Sequence, residues 1–297
     1  MSALNSPSEA ELKSGLQNKT AIITGGSQGI GFTIAQLCVS NGATVIIADI
    51  NTERGEQAAA ELGNNTLFVR CDVSKWSDQL HLFSTALSHS PHKRLDIVVC
   101  NAGVNPEMVF FNAPDGKELV EAQTQVKFNY LADEMDGNYL ACPPSTILDI
   151  NLFGVIYGVK LTVHHMKESG GGRIIVTGSA ASYMGMSPQD MYCASKHAVL
   201  GLVRATSQKA ELEQNNISIG LVAPWLTEMP MTSCVSPPYA KGSLRISPAD
   251  VANAVGMLAV RDGEQVNGKA IWVQGQTYTE VEGAVAKCYE GMMKSAD

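Results

Sequence analysis

A glycine-rich turn near the N-terminus constrains the fold more than any other segment of this chain. Residues 21–23 form an apolar run, the turn Thr24-Gly-Gly-Ser-Gln-Gly-Ile-Gly31 follows, and Gly29–Ser40 has helical periodicity. Glycine is needed where a chain turns tightly and its backbone approaches a pyrophosphate. The helix N-terminus adds N–H groups and the positive end of a dipole. This unit predicts a dinucleotide site, with an ordinary strand–helix turn as the alternative.

The residue at the end of the second predicted strand indicates which dinucleotide binds. That strand, residues 45–49, ends in Asp49. A carboxylate there can accept hydrogen bonds from the adenosine ribose and would repel the 2′-phosphate of NADP. Gln28, Ile50 and Asn51 are neutral, and Arg54, the one nearby basic residue, is expected too far along the next helix. The sequence therefore favours NAD over NADP, although Asp49 could also cap that helix.

Composition and charge narrow the class of protein. The chain has 297 residues, of which 45% are apolar and 17% charged, as in a soluble protein with a substantial core. A net charge of −8 without a basic block argues against nucleic acid or an anionic membrane as partner. We see no signal peptide and no run long enough to span a bilayer, so we expect a cytoplasmic protein. The cysteines lack metal-ligand spacing, and Cys38, Cys71 and Cys100 are predicted core residues in a reducing compartment.

A tyrosine and a lysine four residues apart form the candidate catalytic pair. Tyr192 and Lys196 lie one above the other on the predicted helix 191–213. A phenol with a pKa of about 10 is a poor base at neutral pH, but a nearby ammonium favours the phenolate. Alone, such a pair is more often a solvated helix face. Ser179 strengthens the catalytic interpretation, because it lies at the carboxyl edge of the predicted buried strand 174–177.

Together these motifs resemble the short-chain dehydrogenase/reductase family over about residues 15–275. The family marks are a TGxxxGxG turn, an NAG motif and an Asn-Ser-Tyr-Lys catalytic set. The chain has each of them in order: Gly25, Gly29 and Gly31; Asn101, Ala102 and Gly103; and Asn151, Ser179, Tyr192 and Lys196. The resemblance implies an α/β fold, a single doubly wound Rossmann domain over residues 16–276. Its seven-stranded, mostly parallel sheet would have the strand order 3-2-1-4-5-6-7.

The resemblance also implies roles for individual residues. Tyr192 would take the alcohol proton, Ser179 would hydrogen-bond the same oxygen, and Asn151 would position a water in a proton relay. Lys196 would lower the pKa of Tyr192 and bind the nicotinamide ribose. No metal is expected. The implied dinucleotide contacts are Gly25, Ser27, Gln28, Gly29, Ile30, Gly31, Asp49, Ile50, Asp72, Val73, Asn101, Ala102, Gly103, Tyr192, Lys196, Pro224, Trp225 and Thr227.

Several segments depart from the family pattern or extend it. Residues 105–146 look like an insertion, either a lid over the substrate or a variable surface excursion. Trp225 replaces the usual glycine, and its indole is expected to wall the nicotinamide or substrate pocket. It begins the predicted substrate loop 225–247, whose methionines suit an apolar ligand. Residues 1–15 are predicted to be a flexible arm, and residues 277–297 a C-terminal helix on a neighbouring subunit, over the cleft or loosely on the surface.

The sequence therefore predicts an enzyme that transfers a hydride between NAD(H) and a medium-sized apolar alcohol or ketone. Because cellular NAD is mostly oxidised, we expect oxidation of a secondary alcohol. One alternative is a carbonyl reductase that runs the reverse reaction with NADH or NADPH. Another is a non-catalytic, dinucleotide-binding regulatory protein. In the family, long helices such as 147–167 and 191–213 pair between subunits, so a homodimer or homotetramer is expected.

Overall fold

The computed structural model describes residues 1–107, 130, 131, 133–187, 189–232 and 245–294. In this part of the chain a nine-stranded sheet carries helices on both faces. The strands are β1 (Ser2–Leu4), β2 (Thr20–Thr24), β3 (Thr44–Asp49), β4 (Thr66–Arg70), β5 (Ile97–Cys100), β6 (Met135–Asp136), β7 (Tyr139–Leu140), β8 (Gly172–Thr177), β9 (Ile217–Pro224), β10 (Ala270–Gln274) and β11 (Thr277–Glu280). The helices are α1 (Glu9–Leu16), α2 (Gly29–Ser40), α3 (Thr52–Leu62), α4 (Trp76–His89), α5 (Thr146–Ser169), α6 (Asp190–Ser207), α7 (Ala210–Gln214), α8 (Pro248–Val260), α9 (Gly263–Val266) and α10 (Glu282–Lys294).

The central strands are apolar on both faces because helices cover both sides of the sheet. In β3, Val45 and Ile47 face one buried cluster, while Ile46 and Ala48 face the other. This alternation follows from the two-residue period of a strand, and continuous apolar runs are typical of parallel sheets buried on both faces. The sheet therefore separates two cores.

The parallel part of the sheet confirms the predicted strand order. The order β10-β9-β8-β5-β2-β3-β4 corresponds to the expected 7-6-5-4-1-2-3. After β4 the chain crosses to the other side of β2 to form β5, so the direction of winding reverses between β2 and β5. Ligands of doubly wound sheets bind at such a reversal, outside the carboxyl ends of the strands.

The N-terminal residues are ordered, which corrects the prediction of a flexible arm over residues 1–15. β1 pairs antiparallel with β11, which itself pairs antiparallel with β10. Ser8 and Glu11 form a capping box that starts α1, and Leu12 and Leu16 are buried. These contacts stabilise the segment because they satisfy its backbone and cover its apolar side chains.

Two predicted helices have different bounds in the structure. The C-terminal segment begins with strand β11, which places Tyr278 in the core, and turns helical only at Glu282. The predicted helix 191–213 is interrupted after Ser207, and the short helix α7 follows with Leu212 buried. In both cases a buried side chain lies in the segment next to the changed boundary.

Helix α5 corrects the expectation that no run could span a bilayer. Among the described residues it is the one helix long and apolar enough to cross a membrane. A core helix passes the same test of length and composition, and α5 buries Val155, Val159, Leu161 and Met166 in the core. Asp149–Phe153 form a π-helical turn within it.

Parts of two predicted segments lie outside the described residues. For the predicted insertion 105–146 these are residues 108–129 and 132, and for the predicted substrate loop 225–247 they are residues 233–244. The described part of the insertion contains the small antiparallel pair β6–β7. The predicted roles of both segments stay predictions.

Candidate active site

A cleft of about 640 Å³ lies at the carboxyl ends of the parallel strands. Its volume is in the range of small-ligand and cofactor sites. It brings together all the predicted site residues except Ser27 and Asn151, which do not line it. The predicted residues that line it are Gly25, Gln28, Gly29, Ile30, Gly31, Asp49, Ile50, Asp72, Val73, Asn101, Ala102, Gly103, Ser179, Tyr192, Lys196, Pro224, Trp225 and Thr227.

The glycine turn at one end of the cleft requires the glycines found there. Gly25 and Gly29 have φ angles of 65° and 54°, which favour glycine. A Cβ on Gly31 would overlap the Gly25 carbonyl oxygen, and one on Gly25 would lie 2.9 Å from Ala102 Cα. The first turn of α2 therefore packs closely on the turn and on the end of β5. The turn's shape and the N-terminus of α2 fit a pyrophosphate.

Asp49 is held in place at the edge of the glycine turn. Its carboxylate accepts hydrogen bonds from Ser27 Oγ at 2.5 Å and from the Asn51 N–H at 3.1 Å. The N-cap of α3 is Asn51, whose side chain accepts the Arg54 N–H, so the alternative role of Asp49 as that cap is wrong. Ser27 does not line the cleft itself but fixes the carboxylate that does.

Arg54 reaches further than the sequence indicated. Its Nη1 donates to Gln28 Oε1 at 2.9 Å, and Gln28 lines the cleft within the glycine turn. Arg54 does not line the cleft itself, so the expectation that it lies too far along α3 to meet the cofactor stays a prediction. The first turn of α3 directs this long side chain back across the glycine turn. The Asp49 carboxylate thus lines the cleft, and the Arg54 guanidinium is hydrogen-bonded to a residue that lines it.

Two more groups of predicted contacts are fixed by local hydrogen bonds. Asp72 accepts hydrogen bonds from the Ser74 hydroxyl at 2.6 Å and its N–H at 3.1 Å, and pairs with Lys75 at 3.4 Å. Asn101 Nδ2 donates to the Thr24 carbonyl at 3.0 Å, and its Oδ1 accepts from Thr177 Oγ1 at 3.2 Å. Asn101 therefore ties together the ends of β2, β5 and β8.

The catalytic candidates meet in the middle of the cleft. Tyr192 and Ser179 both line it, and hydrogen bonding from Ser179 acts to lower the pKa of the tyrosine. Lys196 lies one turn further along α6, with Nζ 5.6 Å from the centroid of the tyrosine ring. Its Nζ donates to the Thr177 carbonyl at 2.8 Å, which anchors the side chain to the end of β8. Strand β8 and helix α6 therefore bring together three groups that the sequence separates.

Burial shifts the pKa of Tyr192 and that of Lys196. Burial raises the pKa of Tyr192, although the hydrogen bond with Ser179 acts in the opposite direction. The residue is half-buried, and the protein around it disfavours the charged phenolate. Burial also lowers the pKa of Lys196 to about 8. Burial is the largest influence on the tyrosine pKa in the protein alone, and the implied lowering of that pKa by Lys196 stays a prediction.

Asn151 is fully buried beside the cleft, in the π-helical turn of α5. Its Oδ1 accepts the Val104 N–H at 2.8 Å, and its Nδ2 donates to the Val104 carbonyl at 2.9 Å. Nδ2 also lies 3.2 Å from Ser195 Oγ on α6. The side chain thus joins the segment after β5 to both long helices. A mid-helix asparagine is unfavourable alone, but these bonds satisfy its amide.

Trp225 occupies its position without backbone strain, since its φ angle is not positive. Its backbone N–H donates to the Val273 carbonyl at 3.0 Å, and the centroid of its ring lies 5.9 Å from that of Trp272. Thr227 Oγ1 donates to the Trp225 carbonyl at 3.0 Å. The indole lines the cleft, as the sequence predicted.

Sequence reasoning missed two groups of residues around the site. Glu107 is buried, and its carboxylate accepts the N–H groups of Met191 and Tyr192 at the start of α6. No local pattern identifies it, because its partners are more than 80 residues away. Met184 and Met186 line the cleft. Their position between Ser179 and Tyr192 could have indicated this.

Metal chemistry has no candidate site in the described part of the chain. No group of three or more His, Cys, Asp or Glu side chains there could hold an ion. Cys38, Cys71 and Cys100 are free and buried, as predicted, and burial raises the pKa of each thiol to about 12. They are core residues.

Comparisons with known proteins agree on one family. The model of the short chain dehydrogenase family matches residues 19–239. The chain is 30% identical to dehydrogenase/reductase SDR family member 4 of Mus musculus, over 88% of each chain. It is 32% identical to a mitochondrial borneol dehydrogenase of Lavandula x intermedia, over 88% of this chain and 90% of that one. A 3-ketoacyl-(acyl-carrier-protein) reductase from Brucella melitensis, solved with NADH, superposes with a TM-score of 0.71 at 25% identity, covering 88% of this chain and 98% of that one.

Proposed function

Because the chain belongs to the short-chain dehydrogenase/reductase family, an oxidoreductase family that binds nicotinamide dinucleotides, we propose that it oxidises a medium-sized apolar secondary alcohol to a ketone with NAD. One observation carries this proposal. Ser179, Tyr192 and Lys196 line the same cleft, with the ammonium of Lys196 5.6 Å from the centroid of the tyrosine ring. A cofactor-binding protein without turnover has no need of this arrangement.

The chain's own residues would bind the alcohol and move its proton. As the phenolate, Tyr192 Oη accepts the hydroxyl proton, and Ser179 donates a hydrogen bond to the same oxygen. Ser179 Oγ already accepts the Ala181 N–H at 3.2 Å, so its proton is left to donate. Lys196, held by Thr177, stabilises the phenolate whenever Tyr192 loses its proton. Bound NAD supplies the hydride acceptor.

NAD is the proposed cofactor, and the adenosine end of the cleft supports it. The Asp49 carboxylate is fixed where it can accept hydrogen bonds from ribose hydroxyls and repel a 2′-phosphate. Arg54 would attract a 2′-phosphate, but unlike Asp49 it does not line the cleft itself. The structural relative was solved with NADH. The remaining proposed contacts are those of the glycine turn and the residues that follow β4, β5 and β9.

The substrate is proposed to be apolar because of the apolar side chains in the cleft. Met184, Met186, Met229 and Ile150 line the same cleft as Tyr192, together with Trp225. Methionines adapt to irregular apolar ligands. A relative named a borneol dehydrogenase agrees with an alcohol of this kind.

A panel of secondary alcohols and matching ketones, each offered with both cofactors, tests the proposal. The near-ultraviolet absorbance of the reduced nicotinamide should rise with NAD and one class of apolar alcohol. A signal with NADP alone would contradict the cofactor, and a signal only with ketones would contradict the direction. Tight NAD binding with no turnover of either panel would favour the regulatory alternative.

Carbonyl reduction is the second candidate, and one observation favours it. Because burial raises the pKa of Tyr192, the phenol keeps its proton at neutral pH. A protonated tyrosine is poised to donate to a ketone oxygen rather than to accept from an alcohol. The ratio of forward to reverse kcat/KM between pH 7 and 9 separates the two candidates.

A homodimer or homotetramer is proposed because apolar side chains are exposed around α4 and α5. The exposed fractions of Trp76, Leu80 and Phe153 are 37%, 44% and 45%. Trp76 packs edge-on against Tyr157. Light scattering of the wild type and of Phe153→Asp tests this, since an acidic residue in a buried interface should yield monomers. A cytoplasmic location is likewise a proposal, which imaging of the tagged protein would test.

A further inference from the structure

Glu282, the first residue of α10, makes a dense set of polar contacts outside the catalytic centre. Its carboxylate accepts hydrogen bonds from Arg204 Nε at 2.7 Å and Nη2 at 3.0 Å, and from the Tyr183 hydroxyl at 2.6 Å. The Glu282 side chain is 12% exposed and that of Arg204 30%. A bidentate, partly buried arginine–carboxylate pair fixes both direction and distance. The pair therefore holds the start of α10 rigidly.

Both partners of Glu282 belong to the elements that carry the catalytic residues. Arg204 lies on α6, two turns beyond Lys196. Tyr183 lies four residues after Ser179, directly behind the short helix Ala180–Ser182. The Arg204 guanidinium also stacks over the Tyr183 ring, at 5.9 Å from its centroid. Glu282 thus joins the C-terminal segment to the segment that follows Ser179 and to helix α6, which carries Tyr192.

A row of aromatic rings continues from Tyr183 to the cleft. The Tyr183 ring meets Trp272 edge-on with centroids 6.0 Å apart, and Trp272 packs against Trp225 at 5.9 Å. Trp225 lines the cleft, as does Met184, the neighbour of Tyr183. Aromatic pairs at these distances have preferred orientations, so a shift of one ring moves the next. The position of the indole therefore depends on contacts made outside the cleft.

From these contacts we infer that Glu282 is a positioning residue, through which the C-terminal segment 277–294 sets the shape of the substrate side of the cleft. It acts by holding Tyr183, whose ring supports Trp272 and, through it, Trp225. The inference rests on the proposed function, because it assigns the substrate side of that same site. It requires that losing the Tyr183–Glu282 hydrogen bond alters substrate affinity more than the chemical step or dinucleotide binding.

Three matched variants test this inference. Glu282→Gln removes the charge, and Tyr183→Phe removes only the hydroxyl while the ion pair with Arg204 and the aromatic ring remain. Glu280→Gln is the control, since the Glu280 carboxylate accepts the N–H groups of Glu282 and Gly283 at the start of α10. Tyr183→Phe keeps the test decisive if Glu282→Gln folds poorly.

For the first two variants we expect the substrate KM to rise roughly 3- to 30-fold while kcat and the dinucleotide Kd stay within about twofold. Tryptophan emission without substrate should shift, because Trp225 and Trp272 are two of the three tryptophans. If both variants match Glu280→Gln in emission and KM, or lose only thermal stability, the inference is wrong. If the wild type turns over neither alcohols nor ketones, the proposed function fails, and the emission comparison alone then decides the positioning role.

Discussion

The carboxylate of Glu107 accepts a hydrogen bond from the backbone N–H of Tyr192 at 2.8 Å, and from the preceding N–H at 3.2 Å. These are orphan donors at the start of α6, the helix that carries the catalytic pair. Negative charge is stabilising at a helix N-terminus, which offsets part of the cost of burying this carboxylate. Glu107 therefore orients the helix from the segment that follows β5.

Replacing Glu107 should destabilise the protein and lower its catalytic efficiency. In Glu107→Ala two buried N–H groups lose their acceptor, so the free energy of unfolding should fall by about 1–3 kcal/mol. Urea unfolding measures this, and kcat/KM should fall as Tyr192 loses its fixed position. Asp190→Ala is the matched control, since Asp190 is an exposed acid in the same turn. Equal losses in both variants would contradict the capping role.

The stability of the protein should depend on pH through Lys196. Burial lowers its pKa to about 8 in the folded state, against about 10.4 in an unfolded chain. Between these values the unfolded state binds more protons, so this group's contribution makes stability rise with pH. The penalty for the buried ammonium is fully present below pH 8 and amounts to about 3 kcal/mol.

Lys196→Met isolates that contribution. The difference in unfolding free energy between the variant and the wild type should shift in favour of the wild type as pH rises from about 8 to 10.4. Chemical denaturation at several pH values measures it. A difference that stays constant over this range would show that the ammonium is not destabilised by burial.

Cofactor choice should depend on Asp49 and Arg54 together. Asp49→Ser removes the charge that repels a 2′-phosphate, so the NADP to NAD ratio of kcat/KM should rise by at least about tenfold. Because Arg54 reaches the glycine turn through Gln28, the double variant Asp49→Ser/Arg54→Gln should lose most of that gain. Steady-state kinetics with both cofactors checks this, and an unchanged ratio in Asp49→Ser would refute the assignment.

The N-terminal segment should contribute to global stability. Leu16 is fully buried at the end of α1. Leu16→Ala should lower the free energy of unfolding by about 2–5 kcal/mol, because it leaves a cavity. Lys13→Ala on the exposed face of the same helix should change it by less than about 0.5 kcal/mol. Similar small effects of both would mean that residues 1–16 are loosely attached in solution.

The parallel sheet and the cleft could be predicted because their signals are local. Apolar runs of four to six residues mark buried strands, and glycines at fixed spacing mark a turn such as the one around Gly25. Asp49 ends one predicted strand, Ser179 follows another, and Tyr192 lies near the start of a predicted helix. Topology then brings them to one edge of the sheet.

The features that could not be predicted depend on distant partners. β1 is only three residues long, and its pairing partner β11 lies near the other end of the chain. The reach of Arg54 depends on its side-chain conformation, which no sequence pattern specifies. The pKa of Tyr192 depends on how much protein surrounds its hydroxyl. Spacing indicates that Lys196 is near Tyr192 but not that burial raises the pKa of the tyrosine.

The most direct test of the central claim is a Tyr192→Phe variant, assayed for hydride transfer and for dinucleotide binding in parallel. The phenol moves the substrate proton, so turnover should fall by about 10²- to 10⁴-fold, the usual contribution of a general acid or base. The ring and Lys196 remain, so the dinucleotide Kd should change little. Turnover equal to that of the wild type would contradict the assignment of Tyr192 as the catalytic base.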